Sequence, residues 1–211
     1  SGSGEFSNSQ FNDNTLSDIF STNNPKGGVF YIESGDLTLE NCVLDSNMVS
    51  SNSNGALIYT ESDSVSVTML STTATGNTGD EMIRFENGGS LSADSTSISG
   101  NTGHGIYSSA GSLTAIFNTV NIDNNTGKGL WGVGSKTFMD VSISGSGEYG
   151  IDGDGELAFT NVDINDNGGY GITSSGDKTF QDVSISGNTE YAINGDGELA
   201  FTNVDINDNG G

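Results

Sequence analysis

Few residues of this chain can do chemistry: one histidine, one cysteine and five basic residues stand against 28 acids among 211 residues. His104 sits in Thr102-Gly103-His104-Gly105, and a histidine beside paired acids is equipment for general acid–base hydrolysis. The only arginine is Arg84, and no basic pair follows His104. A second pattern, Asp152-Gly153-Asp154-Gly155-Glu156, recurs in altered form as Asn194-Gly195-Asp196-Gly197-Glu198 and offers oxygens of the kind calcium takes. The EF-hand spacing fails, because Leu157 stands where its glycine should be and Asp163 where its glutamate is expected. Solvated turn carboxylates are the expectation, with calcium as the weaker alternative. No catalytic, cofactor-binding or metal-binding residue is assigned.

The elements that must position these residues are set by repetition. Gly155 opens a fifteen-residue phrase, GELAFTNVDINDNGG, that returns unchanged from Gly197. Each copy belongs to a unit of 42 residues that splits into two similar halves of 21. One anchor carries the period upstream: an apolar residue followed three positions later by Asn, at Phe11/Asn14, Leu44/Asn47, Ala74/Asn77, Ile98/Asn101, Ile122/Asn125, Ile164/Asn167, Ile185/Asn188 and Ile206/Asn209, with Ser146 breaking it once. Other positions keep step, notably Leu39, Met69, Ala93, Phe117, Phe138, Phe159, Phe180 and Phe201. Apolar and polar residues alternate over short runs punctuated by Gly, Asn, Asp and Ser, which is strand chemistry with tight corners.

Short strands repeated at this period predict an all-β fold, a right-handed parallel β-helix of about 8–9 coils of 21–28 residues. Phe should rest on Phe, Val on Val and Ile on Ile from coil to coil. The Asn column should form a ladder inside a corner, each amide bonding to the next. In the same register His104 shares a corner column with Lys128, Tyr149, Tyr170 and Tyr191, so a structural role accounts for it. Lys136 and Lys178 occupy a column otherwise held by Leu37, Leu157 and Leu199. A buried ammonium is costly, so that column is expected near an edge, where each Lys reaches water beside Glu156 or Glu198. Two corners are enlarged, after Asn14 and after Asn47, and loops of this kind are where solenoids place binding surfaces.

Residues 1–5 read as a linker or cloning scar, and 6–211 as a single β-helix domain cut at both ends from a longer solenoid. Exposed strand edges at those ends predict end-to-end self-association. The net charge of −23 repels nucleic acid and anionic membranes, so neither is an expected partner. No apolar run is long enough for a bilayer span. Cys42 is alone and forms no internal disulfide.

Gly27-Gly28-Val29 followed by Leu44-Asp45-Ser46-Asn47, together with Phe11-Asn12-Asp13-Asn14, resembles the GGA(I/L/V) and FxxN repeats of polymorphic outer-membrane autotransporter passengers and related pectin-lyase-like surface adhesins. The resemblance covers nearly the whole chain as a pattern; Phe11 to Asn14 is its one full FxxN, and Gly27-Gly28-Val29 a loose GGA. It implies a β-helix at the cell surface. The element around His104 is also similar to the GHG of polygalacturonases, in which a histidine assists a pair of acids. Lyases of the pectate type depend on a basic residue beside a calcium-binding acid cluster, and Arg84 has no such partner in the sequence. The expected function is therefore a non-catalytic segment of an extracellular adhesin or surface-fibre stalk, presenting a polar face and loops to a cell-surface protein or glycan receptor. The alternative is a polysaccharide-binding or polysaccharide-cleaving module.

Overall fold

A computed structural model describes residues 2–16, 26–49, 54–109 and 113–211. Most of the first enlarged corner and residues 50–53 of the second lie outside the described residues. Every described strand pairs in parallel with its counterpart one coil away, and the described residues contain no helix. The result is a β-solenoid of about 7 turns, slightly fewer than the 8–9 expected. The spacing of equivalent residues also exceeds expectation at first: it is 33, then 30, then 24, and settles at 21. The enlarged corners supply the excess.

Each coil has three faces. The first is built by strands such as Gly35–Glu40, Ser66–Leu70, Gly89–Asp94 and Leu113–Asn118, and the second by Val43–Asp45, Thr73–Thr75, Ser97–Ser99 and Asn121–Asp123. From Lys136 onward the two run together as the nine-residue strands Lys136–Ser144, Leu157–Asn165, Lys178–Ser186 and Leu199–Asn207. Each of these bends at one residue with positive φ: Asp140, Asn161, Asp182 or Asn203. Asp and Asn tolerate that left-handed conformation because their short polar side chains bond locally. The third face carries Phe30–Ile32, Ile58–Thr60, Thr78–Phe85, Thr102–Ser108 and Leu130–Gly132, and shortens to Ile151–Asp152, Ile172–Thr173 and Ile193–Asn194.

The core is the set of inward columns that the repeat anticipates. Phe117, Phe138, Phe159, Phe180 and Phe201 stack with centroids 4.8–5.1 Å apart and planes within 12°. Ile98, Ile122, Ile143, Ile164 and Ile185 pair in register beside them, all fully buried. One strand spacing of about 4.8 Å is also a good separation for two rings, so backbone pairing and side-chain packing reinforce each other.

The Asn ladder is a complete hydrogen-bond circuit. Asn77 shows the pattern: its Oδ1 accepts from both the backbone N–H and Nδ2 of Asn47, at 2.9 Å each. Its Nδ2 donates to Asn101 Oδ1 at 2.9 Å and to the Leu44 carbonyl at 3.0 Å. All four amide valences of a buried side chain are thereby satisfied. Ser146 interrupts the circuit: its backbone N–H donates to Asn167 Oδ1 at 3.0 Å, but its hydroxyl is buried without a partner. Next to it, Gly129 occupies the place that Gly150 holds beside Asn167, so an amide fits there too. Ser146→Asn should raise the unfolding free energy by about 1–2 kcal/mol, read from the denaturation midpoint in urea.

The second positive-φ corner has its own alternation. Asp166 and Asp208 take it in one coil, and Gly145 and Gly187 in the next. A Cβ on Gly187 would fall 2.2 Å from the Asp166 carboxylate. Asp166 thus spreads over Gly187 in the following coil, as Asn124 does over Gly145.

Lys136 and Lys178 depart from expectation. Both are buried, 3% and 1% exposed, and neither ammonium reaches Glu156 or Glu198. Lys136 Nζ donates to the carbonyls of Gly132 and Gly134, both at 3.0 Å; Lys178 Nζ donates to those of Gly176 and Asp196, at 2.6 and 2.9 Å. Backbone carbonyls turned inward at a glycine-rich corner replace water. Burial pushes the Lys136 ammonium down to about 8, against a smaller upward pull from Asp154; burial lowers Lys178 as well. Lys136→Leu, which copies Leu157 of the next coil, should stabilise the rod by about 1–3 kcal/mol at neutral pH. Between about pH 8 and 10.5 the unfolded chain binds the extra proton, so the parent gains stability as pH rises. Its deficit relative to Lys136→Leu should close across that window in paired urea titrations.

Candidate functional site: the aromatic and basic third face

The outward positions of the first two faces are mainly Ser, Thr, Asn, Asp and Glu. The outer side of the third face has a different chemistry. Tyr31, Tyr59, Arg84, Tyr107 and Trp131 lie in successive coils in paired register. Alongside them runs the column of His104, Lys128, Tyr149, Tyr170 and Tyr191, held by backbone bonds such as Gly129 N–H to Tyr149 O and Gly150 N–H to Tyr170 O. All six tyrosines and the single tryptophan of the sequence therefore lie on this side, with the only histidine. Of the five basic residues, Lys26, Arg84 and Lys128 belong here, and the other two point into the core.

The cations here are paired twice, with a ring and with a carboxylate. Arg84 places its guanidinium 4.6 Å from the Tyr107 centroid while bonding Glu81 at 2.8 Å and Glu86 at 2.7 Å. Lys128 lies 4.4 Å from the Trp131 centroid and 5.2 Å from that of Tyr149, and is ion-paired to Asp152. Lys26 lies 5.1 Å from the Tyr59 ring and pairs with Glu61. Tyr31 also donates to Glu61, at 2.5 Å, and that bond holds its phenol up at about 12. Glu81 is buried, and the burial pushes its carboxyl up despite Arg84.

The rings continue the series. Trp131 packs on Tyr107 at 4.3 Å and meets His104 edge-on at 5.1 Å. Tyr149, Tyr170 and Tyr191 follow at 5.0 and 6.0 Å. They stack along the rod axis, so ring edges and hydroxyls, rather than ring faces, meet solvent.

His104 is positioned by its backbone neighbourhood. Its Nδ1 accepts the Lys128 backbone N–H at 2.8 Å, which leaves the proton of the neutral ring on Nε2. Burial lowers its pKa, and Glu148 pulls the other way less strongly. The ring spreads over Gly127, where a Cβ would lie 2.4 Å from Nδ1. Beside it, Asp80, Glu81, Thr102, Thr126, Trp131 and Glu148 line a cleft of about 390 Å³.

No protein family model matches this chain, and it has no match among curated proteins or solved structures. What the site can do rests on its own geometry.

The other residues singled out in the sequence are dispersed. Asp152 is engaged by Lys128, Asp154 accepts from the Ser175 hydroxyl at 2.6 Å, and Glu156 faces solvent. Among the described residues no group of three or more His, Cys, Asp or Glu side chains gathers as a metal site. Sequence reasoning grouped His104 with Lys128 and the three later tyrosines, but missed Tyr31, Tyr59, Arg84, Tyr107 and Trp131 as one column. Their spacing changes at every step, so no constant interval marks the column.

Proposed function

We propose that this chain is a segment of an extracellular adhesin or surface-fibre stalk, a non-catalytic rod that presents its third face to a cell-surface glycan or protein. The observation that carries this reading is the gathering of all the tyrosines, the tryptophan and every outward cation on one side of a rod that is elsewhere acidic and hydroxylated. Tyr, Trp and Arg supply contact area at low conformational cost and are enriched where surfaces recognise partners. The solenoid repeats that side at each coil, so recognition gains from many weak contacts in line. The FxxN-like repeats agree with a passenger of the autotransporter type.

The test is retention of the labelled rod on immobilised polysaccharides and on whole cells. The parent should be retained, and Tyr170→Ser/Tyr191→Ser should lose most of that retention. A rod that adheres to no surface would end the reading. The same incubations report on the alternative: new reducing or unsaturated ends that disappear in His104→Ala would make this a polysaccharide-cleaving module instead.

A further inference from the structure

The cleft beside His104 differs from the rest of the third face in being concave, and its construction points to a ligand. Its floor is the backbone of Gly103 and Gly127, joined by the Gly127 N–H to Gly103 O bond. Neither position can carry a side chain: a Cβ on Gly103 would meet the Gly79 carbonyl at 1.9 Å, and one on Gly127 the His104 ring at 2.4 Å. Asp80 precedes this floor and Glu148 follows it, bonded through its own N–H to Gly127 O. The two exposed carboxylates are therefore carried at opposite ends, on backbone positions three strand spacings or about 14 Å apart. Thr102 and Thr126 stand along the cleft with the imidazole of His104 and the indole of Trp131.

This arrangement discriminates among ligands. A metal ion or single ammonium needs oxygens that converge, and these carboxylates are too far apart to share one. A flat aromatic ligand needs an open ring face, but Trp131 is covered by Tyr107 at 4.3 Å and by Lys128 at 4.4 Å. An anionic sugar would meet Asp80, Glu148 and a chain of net charge −23, while Arg84 and Lys128 are already engaged with Glu81, Glu86 and Asp152. What remains offered is a neutral donor at His104 Nε2, the Thr102 hydroxyl, the O–H of Thr126, whose oxygen already accepts the Gly103 N–H at 2.9 Å, an indole edge, and carboxylates that accept from hydroxyls at both ends. A bonding set of mixed donors and acceptors over that length suits several hydroxyl groups spread along two pyranose rings.

We infer that the cleft between Asp80 and Glu148 binds an uncharged disaccharide unit of a polysaccharide. The inference rests on the adhesin reading and names the chemistry of its partner. Trp131 is the only tryptophan in the chain and lines the cleft, so its emission reports occupancy directly. The experiment titrates the full chain with cellobiose, maltose and lactose, and in parallel with digalacturonate. At least one neutral disaccharide should change Trp131 emission saturably, and digalacturonate should not. Asp80→Ala/Glu148→Ala alters two exposed side chains and should weaken the response at least ten-fold, with the far-ultraviolet spectrum unchanged. No response to any of the three neutral sugars, an undiminished response in the double variant, or an equal response to digalacturonate would each overturn the assignment. Retention on cells separates this failure from the broader one: a rod that still adheres while Trp131 stays silent loses only the cleft, and one that does neither loses both.

Discussion

Asn77→Ala should destabilise the rod by about 3–5 kcal/mol, a large effect for one exchange of a polar side chain. The substitution removes four hydrogen bonds inside a sealed corner and strands the Asn47 backbone N–H, one N–H of Asn47 Nδ2 and the Leu44 carbonyl, which the missing amide had satisfied. Asn101 Oδ1 keeps one donor, the backbone N–H at position 77, at 3.0 Å. Asn77→Asp should do no better, because a carboxylate cannot donate to Asn101 and carries charge into a buried site. Because each coil touches mainly its neighbours, the damage is local and weakens coupling between the coils on either side. A urea titration should therefore show both an earlier midpoint and a broader transition. Coincident, unshifted curves for the parent and Asn77→Ala would show that the ladder carries no stability.

Phe159→Ala is the second large effect, at about 3–5 kcal/mol. Phe159 lies between Phe138 at 4.8 Å and Phe180 at 5.0 Å, with both ring pairs within 6° of parallel. The strands above and below are paired through their length, so the backbone cannot collapse into the void. Phe159→Leu keeps most of the volume and should cost about 1 kcal/mol. The difference between the two variants measures the cavity. If Phe159→Ala were as mild as Phe159→Leu, close stacking would not be what holds adjacent coils together.

Most of the fold was legible in the sequence because a solenoid core is a relation between residues one period apart. Phe138, Phe159 and Phe180 recur at an interval of 21, and in the structure each touches the next. The same holds for Asn167 and Asn188, joined at 2.8 Å. Coil number and length were less legible, since the first two spacings of 33 and 30 contain corners with no repeat to measure against. The third face was hidden in part for the same reason: Tyr31 and Tyr59 follow the long, variable corners and fall out of step, and the in-step positions of Tyr107 and Trp131 hold different residue types in the later coils. Lys136 departs from the edge position expected of it because backbone carbonyls solvate its ammonium in place of water. The overlooked signal was Gly132 and Gly134 just upstream, both at positive φ, whose carbonyls receive the ammonium. The cleft at His104 had a partial signal in Gly103 and Gly127, but only the folded chain places Asp80 and Glu148 at its two ends.

The Asp-over-Gly alternation at the second corner bears on how such a rod can grow. Inserting a lone copy of the coil with Asp166 would lay aspartate on aspartate at this corner, and a lone copy of the coil with Lys136 would lay lysine on lysine, at about 4.8 Å. Copying two at once keeps these aspartates, and these lysines, about 10 Å apart, close to the distance over which physiological salt screens them. At this corner, duplication by pairs preserves an alternation that duplication of a single coil would break, whereas exposed acids such as Glu156, Asp177 and Glu198 stack in successive coils without it.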